Sequence, residues 1–207
     1  MELKKLVKDI VIDATTLPSL DVKDICSHSS NVTDGSLFVA IYGEEADGHD
    51  FIPQAIENGA AVVITNGREM GQLSVPNIQV ANPRLAASRV SAEYYGHPTK
   101  QLTVIGITGT NGKTTTASIL QKILCAAEIQ SAQLGTLGII AEGFTPEKSL
   151  TTPDPITLQK TFRELVNKGF THVVMEVSSH ALDQLRVADV YFNLGVFTNL
   201  SPEHLDY

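Results

Sequence analysis

Between Val104 and Leu120 the chain reads VIGITGTNGKTTTASIL, in which a glycine-bearing turn ending in Lys-Thr-Thr joins an apolar run to a helix-like segment. Gly109 and Gly112 free backbone N–H groups to face an anion, and Lys113 adds a positive charge. Thr114 offers a hydroxyl to a cation at the start of the helix. The strict phosphate-loop pattern is G-x-x-x-x-G-K-[ST], whereas residues 107–114 read I-T-G-T-N-G-K-T, with the first glycine missing and Gly109 inside the loop instead. The stretch is therefore a variant, to be weighed against a plain glycine-rich turn between a strand and a helix.

Two further polar groups follow apolar runs. Glu176 closes HVVME and is followed by Ser178 to His180; Thr198 to His204 follow FNLGVF. In an open parallel sheet ligands collect at the carboxyl ends of strands, so three strands aim chemistry at one edge. Glu176 suits a cation partner beside a phosphate loop, although a helix cap or a surface carboxylate is the alternative. His204 is a weaker candidate, since a lone histidine also serves as a structural or exposed residue.

The elements that must position these residues come in two halves. From about Leu102, LTVIGIT, THVVMEVS and FNLGVFTN read as strands, with KTTTASILQKILCAA and PITLQKTFRELVNKG as helices. Asp154 is the expected N-cap of the latter, with Pro155 at its first position and Gly169 past its end. Continuous apolar strands joined by helical crossovers predict an α/β fold with a parallel sheet covered on both faces. The first half, residues 1–98, carries strand-like SLFVAIYG and AAVVIT around a helix FIPQAIENGA. It ends in NPRLAASRVSAEYYG, a helix capped by Asn82 and closed by Gly96. HPTKQ reads as a linker. The expected organisation is thus a small α/β domain over 1–98 and a phosphate-loop domain over 102–207.

Composition excludes several functions. Of 207 residues 43% are apolar and 18% charged, which describes a folding chain. A net charge of −8 argues against a broad nucleic-acid or anionic-membrane surface, so an anionic ligand must be held by local donors. Cys26 and Cys125 lie far apart with no metal-binding spacing, and are expected to be buried packing residues in a reducing compartment. Lys8, Asp9 and Asp13 interrupt the N-terminal apolar residues, and no run is long enough to span a bilayer, so a cytoplasmic location is expected.

GITGTNGKTTT, TTPDP, MEVSSHALDQLRV and FTNLSPEHLDY stand in the order they take in the Mur ligases of bacterial cell-wall synthesis, and SLFVAIYGEEADGHDFI resembles the N-terminal domain of those enzymes. The resemblance covers essentially the whole chain. It is nearest to the branch that adds meso-diaminopimelate or L-lysine to UDP-MurNAc-L-Ala-D-Glu. It implies that ATP phosphates are held by Gly109, Thr110, Asn111, Gly112, Lys113, Thr114 and Thr115. It further implies one Mg2+ held by Thr114 and Glu176, and a second held in part by His204. Ser27, Ser29, Glu44, Glu45 and Ala46 would approach the uridine, and Thr151, Thr152, Ser178, Gln184 and Arg186 the pyrophosphate and sugar-peptide end. Arg186 suits a forked contact to phosphate or carboxylate, with a surface ion pair as the alternative; Thr151 and Thr152 could instead cap the following helix.

The implied chemistry is activation of the D-glutamate side-chain carboxylate by the terminal phosphoryl of ATP, followed by attack of the incoming amine. Two departures qualify it. His28-Ser29-Ser30 stands where the family usually has Asp-Ser-Arg, leaving the uridine contacts open. Family members also continue past HLDY into further strands, a carbamylated lysine that holds the second metal, and a domain for the incoming amino acid. On that reading the chain corresponds to the first two-fifths of such an enzyme and alone forms no amide bond. The alternatives are a nucleotide- or UDP-sugar-binding fragment, another Mur ligase, or a relative of folylpolyglutamate synthase.

Overall fold

The computed structural model describes residues 1–11, 17–43, 46–145 and 150–202, which divide into two compact units, Met1–Tyr94 and Tyr95–Tyr207. In the first unit, β1 (Asp24–Cys26), β2 (Ser36–Val39), β3 (Ala60–Thr65) and β4 (Asn77–Gln79) form a parallel sheet in sequence order. Parallel strands need crossovers, and β2 and β3 are buried nearly throughout because those crossovers cover them. The helices are α1 (Leu3–Leu6), α2 (Ile52–Glu57) and α3 (Pro83–Tyr94). Phe38, Ala40, Ile52, Ala55 and Val63 pack together in the core. Asn82 caps α3 as its sequence predicts, its side-chain oxygen accepting the Leu85 N–H at 3.1 Å. After α2 the chain turns at Gly59 (φ 106°), where an added Cβ would press on the Asp34 backbone.

The second unit contains β5 (Thr103–Thr108), α4 (Lys113–Ala126), β6 (Ser131–Gly135), β7 (Gly138–Ile140), α5 (Pro155–Asn167), β8 (His172–Glu176), α6 (Ser179–Asp183) and β9 (Leu194–Phe197). Its sheet runs β7-β6-β8-β5-β9. Four strands are parallel, and β7 turns back antiparallel on β6. The sheet is thus mixed rather than purely parallel. SAQLGTLGII forms a hairpin that its polar, glycine-rich composition conceals. On one face Leu158, Phe162 and Leu165 of α5 bury against Val104, Leu134, Val173 and Met175. On the other, Ala117 of α4 lies over Ile105, Ile107 and Val174.

Three sequence expectations need correction. HPTKQ is not a free linker: Pro98–Gln101 forms a 3-10 turn in the second unit, with Pro98 and Thr99 buried and the Thr99 hydroxyl accepting the Tyr191 N–H at 3.1 Å. Cys26 is buried, but Cys125 is exposed because it sits on the rim of α4, where its sulfur meets the Ser131 hydroxyl at 3.4 Å. Coverage of both faces is also incomplete: β9 is an edge strand on which Leu194 and Phe197 are exposed.

Candidate functional site

The loop after β5 is built by its glycines. Gly109 (φ 134°) and Gly112 (φ 85°) adopt backbone conformations that side chains avoid. A Cβ at Gly109 would strike the Thr198 hydroxyl and the Asn199 backbone. That close approach exists because the segment after β9 clasps the loop. Asn199 accepts the Thr110 N–H at its carbonyl (3.0 Å) and the Asn111 N–H at its side-chain oxygen (2.9 Å), and Thr198 donates to the Asn111 carbonyl at 2.7 Å. The polar stretch after FNLGVF therefore shapes the loop directly.

Gly112 is the N-cap of α4 and provides no side-chain capping bond, so the first-turn N–H groups are left for a ligand, with the helix dipole behind them. Lys113 folds back over the loop, its ammonium donating to the Gly109 carbonyl at 2.7 Å and the Thr110 carbonyl at 2.9 Å. A glycine-shaped loop, a helix start and an ammonium thus converge on residues 109–115, with the Thr110 and Asn111 N–H groups taken by Asn199.

Beneath this loop lies Glu176, 1% exposed at the end of β8, and therefore not a surface carboxylate. The helix that follows is capped instead by Ser178, whose hydroxyl accepts the Ala181 N–H at 3.2 Å. The Thr114 hydroxyl donates to Glu176 Oε2 at 2.7 Å, bringing together the two residues expected to share a cation. Both are hard oxygen donors, the chemistry Mg2+ prefers. The carboxylate also accepts the Thr136 N–H at Oε1 (3.1 Å) and the Thr136 hydroxyl at Oε2 (3.4 Å). Gly135 has no side chain because the Glu176 carboxylate occupies that space. Thr136 escaped the sequence reading; the G-T-L-G turn at 135–138 was its only signal.

Beside the carboxylate, the Thr152 hydroxyl donates to the Glu176 carbonyl at 3.0 Å and accepts the Ser178 N–H at 3.1 Å. Neither Thr151 nor Thr152 caps α5; Asp154 does, accepting the Ile156 and Thr157 N–H groups at 3.0 and 3.1 Å. Arg186 donates to the Thr152 carbonyl at 2.9 Å and forks onto the Gln184 side-chain oxygen at 3.0 and 2.6 Å. Thr151, Thr152, Ser178, Gln184 and Arg186 therefore form one polar rim continuous with Glu176.

In the first unit, the Ser29 hydroxyl bonds to Gln54 at 2.7 Å at the start of a 3-10 turn, and Ser27 lies half-buried just before it. Ala46 closes a turn by accepting the Gly43 N–H at 2.9 Å. Next to it, Asp47 bonds the fully buried His49 ring at 2.6 Å and Arg68 at 2.6 Å. Burial would raise the Asp47 carboxyl, but the bonds from His49 and Arg68 outweigh it and hold the group below the usual carboxylate range. Glu44, Glu45 and His204 lie outside the described residues. Among the described residues no group of three or more His, Cys, Asp or Glu side chains could hold a metal, and no helix is long and apolar enough to cross a membrane.

Residues 21–100 match the description "Mur ligase family, catalytic domain", and residues 107–207 match "Mur ligase middle domain". The chain belongs to the Mur ligase family. The UDP-N-acetylmuramoyl-L-alanyl-D-glutamate–2,6-diaminopimelate ligase of Geobacter sulfurreducens is 44% identical over 187 residues, 90% of this chain and 37% of that protein. The ligase of the same name from Alkaliphilus metalliredigens is 40% identical over 208 residues, 100% of this chain and 42% of that protein. A solved structure of a ligase with that name superimposes with a TM-score of 0.72 at 27% identity, covering 89% of this chain and 37% of that one. The chain thus spans about two-fifths of the length of these relatives.

Within the Mur ligase frame, the matched middle domain begins at Ile107, two residues before Gly109, and contains Thr114, Thr136 and Glu176. The matched N-terminal region contains Ser27, Ser29 and Ala46.

Proposed function

We propose that this chain supplies the ATP- and UDP-sugar-binding parts of a cytoplasmic ligase of peptidoglycan synthesis, one that joins a diamino acid to UDP-MurNAc-L-Ala-D-Glu. The observation that carries the reading is the 2.7 Å bond between Thr114, in the first turn of an uncapped helix, and the buried Glu176. Apolar packing does not require that pair, whereas two converging hard oxygen donors beside a phosphate loop would suit Mg2+. Names of the relatives support 2,6-diaminopimelate as the added amino acid.

In the proposed reaction the D-glutamate side-chain carboxylate attacks the terminal phosphorus of ATP, the bond from that phosphorus to the bridging oxygen breaks, and ADP leaves. The amine then attacks the acyl phosphate and inorganic phosphate departs, leaving an amide. Residues 109–115 hold and orient the phosphates through backbone N–H groups and the Lys113 ammonium. Thr114 and Glu176 would hold Mg2+, which offsets the repulsion between phosphate and carboxylate. Thr151, Thr152, Ser178, Gln184 and Arg186 bind and orient the UDP-sugar dipeptide. Ser27, Ser29 and the turn at 44–46 take the uridine, and His204 contributes to a second cation.

Lys113→Ala tests the reading. A charge-assisted contact is worth about 1.5 to 3 kcal/mol, so ATP affinity should fall on the order of tenfold or more. Equal calorimetric affinities for the two folded proteins would refute it.

A further inference from the structure

We propose that Thr136 is a positioning residue that aims the Glu176 carboxylate at the cation and ties it to Thr151 on the substrate rim. The inference rests on the nucleotide reading above. Glu176 Oε2 accepts from both Thr114 (2.7 Å) and Thr136 (3.4 Å), while Oε1 accepts the Thr136 N–H at 3.1 Å. Thr114 could ligate a cation through an oxygen lone pair and still donate its proton to Glu176; Thr136, on the β6–β7 turn and so on a different element from either residue, holds the same carboxylate independently.

The hydroxyl geometry adds a direction. The Thr136 hydroxyl gives its one proton to Glu176 Oε2, so Thr151, 3.1 Å away, donates to Thr136. The chain Thr151 to Thr136 to Glu176 links the residue placed against the sugar-peptide to the residue placed against the metal. Gly135 fixes the same arrangement sterically, because any Cβ there collides with the Glu176 carboxylate. A turn with no such role would have no reason to exclude a side chain at 135 and place a hydroxyl at 136.

Thr136→Val keeps shape and N–H but removes the hydroxyl; Thr136→Ser restores it. ATP affinity is measured by calorimetry on the full chain, with excess Mg2+ and again with EDTA, and folding is checked by thermal unfolding. We expect Thr136→Val to reduce the Mg2+-dependent gain in affinity about tenfold, with affinity in EDTA unchanged within about twofold and the gain recovered in Thr136→Ser. An undiminished gain in Thr136→Val overturns the role. Equal losses with and without Mg2+ also overturn it, since they mark a merely structural residue. A wild-type chain with no Mg2+-dependent gain removes the nucleotide reading and this role with it.

Discussion

The two long helices of the second unit pack on opposite faces of one sheet and do so by different chemistry. The α5 interface is apolar, with Leu158, Phe162 and Leu165 fully buried. Asp154 caps that helix with two hydrogen bonds. Against β6 and β8, α4 instead presents Thr114, Ser118, Gln121 and Cys125, which meet Glu176, Gln133 and Ser131. Its N-cap is a glycine that bonds nothing with a side chain. Helix α5 is satisfied at its start, and α4, which we propose binds phosphate, has no side-chain cap there. On the proposed reading, a cap like Asp154 at position 112 would place a carboxylate where the phosphate is to bind.

Substitution on the α5 face gives the largest effect. Phe162 is fully buried among Leu102, Leu134 and Met175. Truncating it to alanine should cost about 3 to 5 kcal/mol in urea unfolding, a large share of the roughly 5 to 15 kcal/mol that holds a domain together. A loss below about 1 kcal/mol would mean the α5 face is not the core.

On the α4 face the corresponding test is Ser118→Ala. The Ser118 hydroxyl donates to Gln133 Oε1 at 3.0 Å, and Gln133 Nε2 is buried with no partner among the described residues. Removing the hydroxyl leaves both amide atoms of Gln133 unpaired, at a cost of about 1 to 3 kcal/mol. Chemical denaturation should show that loss, and calorimetry should show ATP affinity unchanged within about twofold. A stability equal to wild type would show that the polar contacts under α4 contribute nothing.

This contrast also explains what the sequence made legible. Helix α5 was readable from Asp154, Pro155 and Gly169 because its cap and apolar spacing are local signals. The turn between β5 and α4 was readable because its glycines are contiguous with the start of the helix. Glu176 was readable as the polar end of an apolar strand. The β6–β7 hairpin was not: Ser131 and Gln133 meet polar groups of α4, and Gly135 lies against the Glu176 carboxylate, so the expected apolar alternation never forms. Thr136 went with it, since its partners Thr151 and Glu176 are 15 and 40 residues away. Exposure of Cys125 was hidden because the residue sits on the rim of α4, where its sulfur meets Ser131 but stays open to solvent.

The smallest expected effect sharpens the difference between the two helix starts. Asp154 Oδ1 accepts the N–H groups of Ile156 and Thr157, while Pro155 at the first position has no N–H to satisfy. Asp154→Ala removes both bonds and a charge that favours the helix N-terminus, which together should cost about 1 kcal/mol. Because α5 meets the sheet on the face away from the loop, ATP affinity should not change. Asp154→Asn, which keeps an accepting oxygen, should recover most of the loss. The comparison breaks if Asp154→Ala weakens ATP binding as much as it weakens folding. That result would mean the start of α5, immediately after Thr151 and Thr152, transmits its order to the substrate rim, and that capping at this helix serves binding as well as stability.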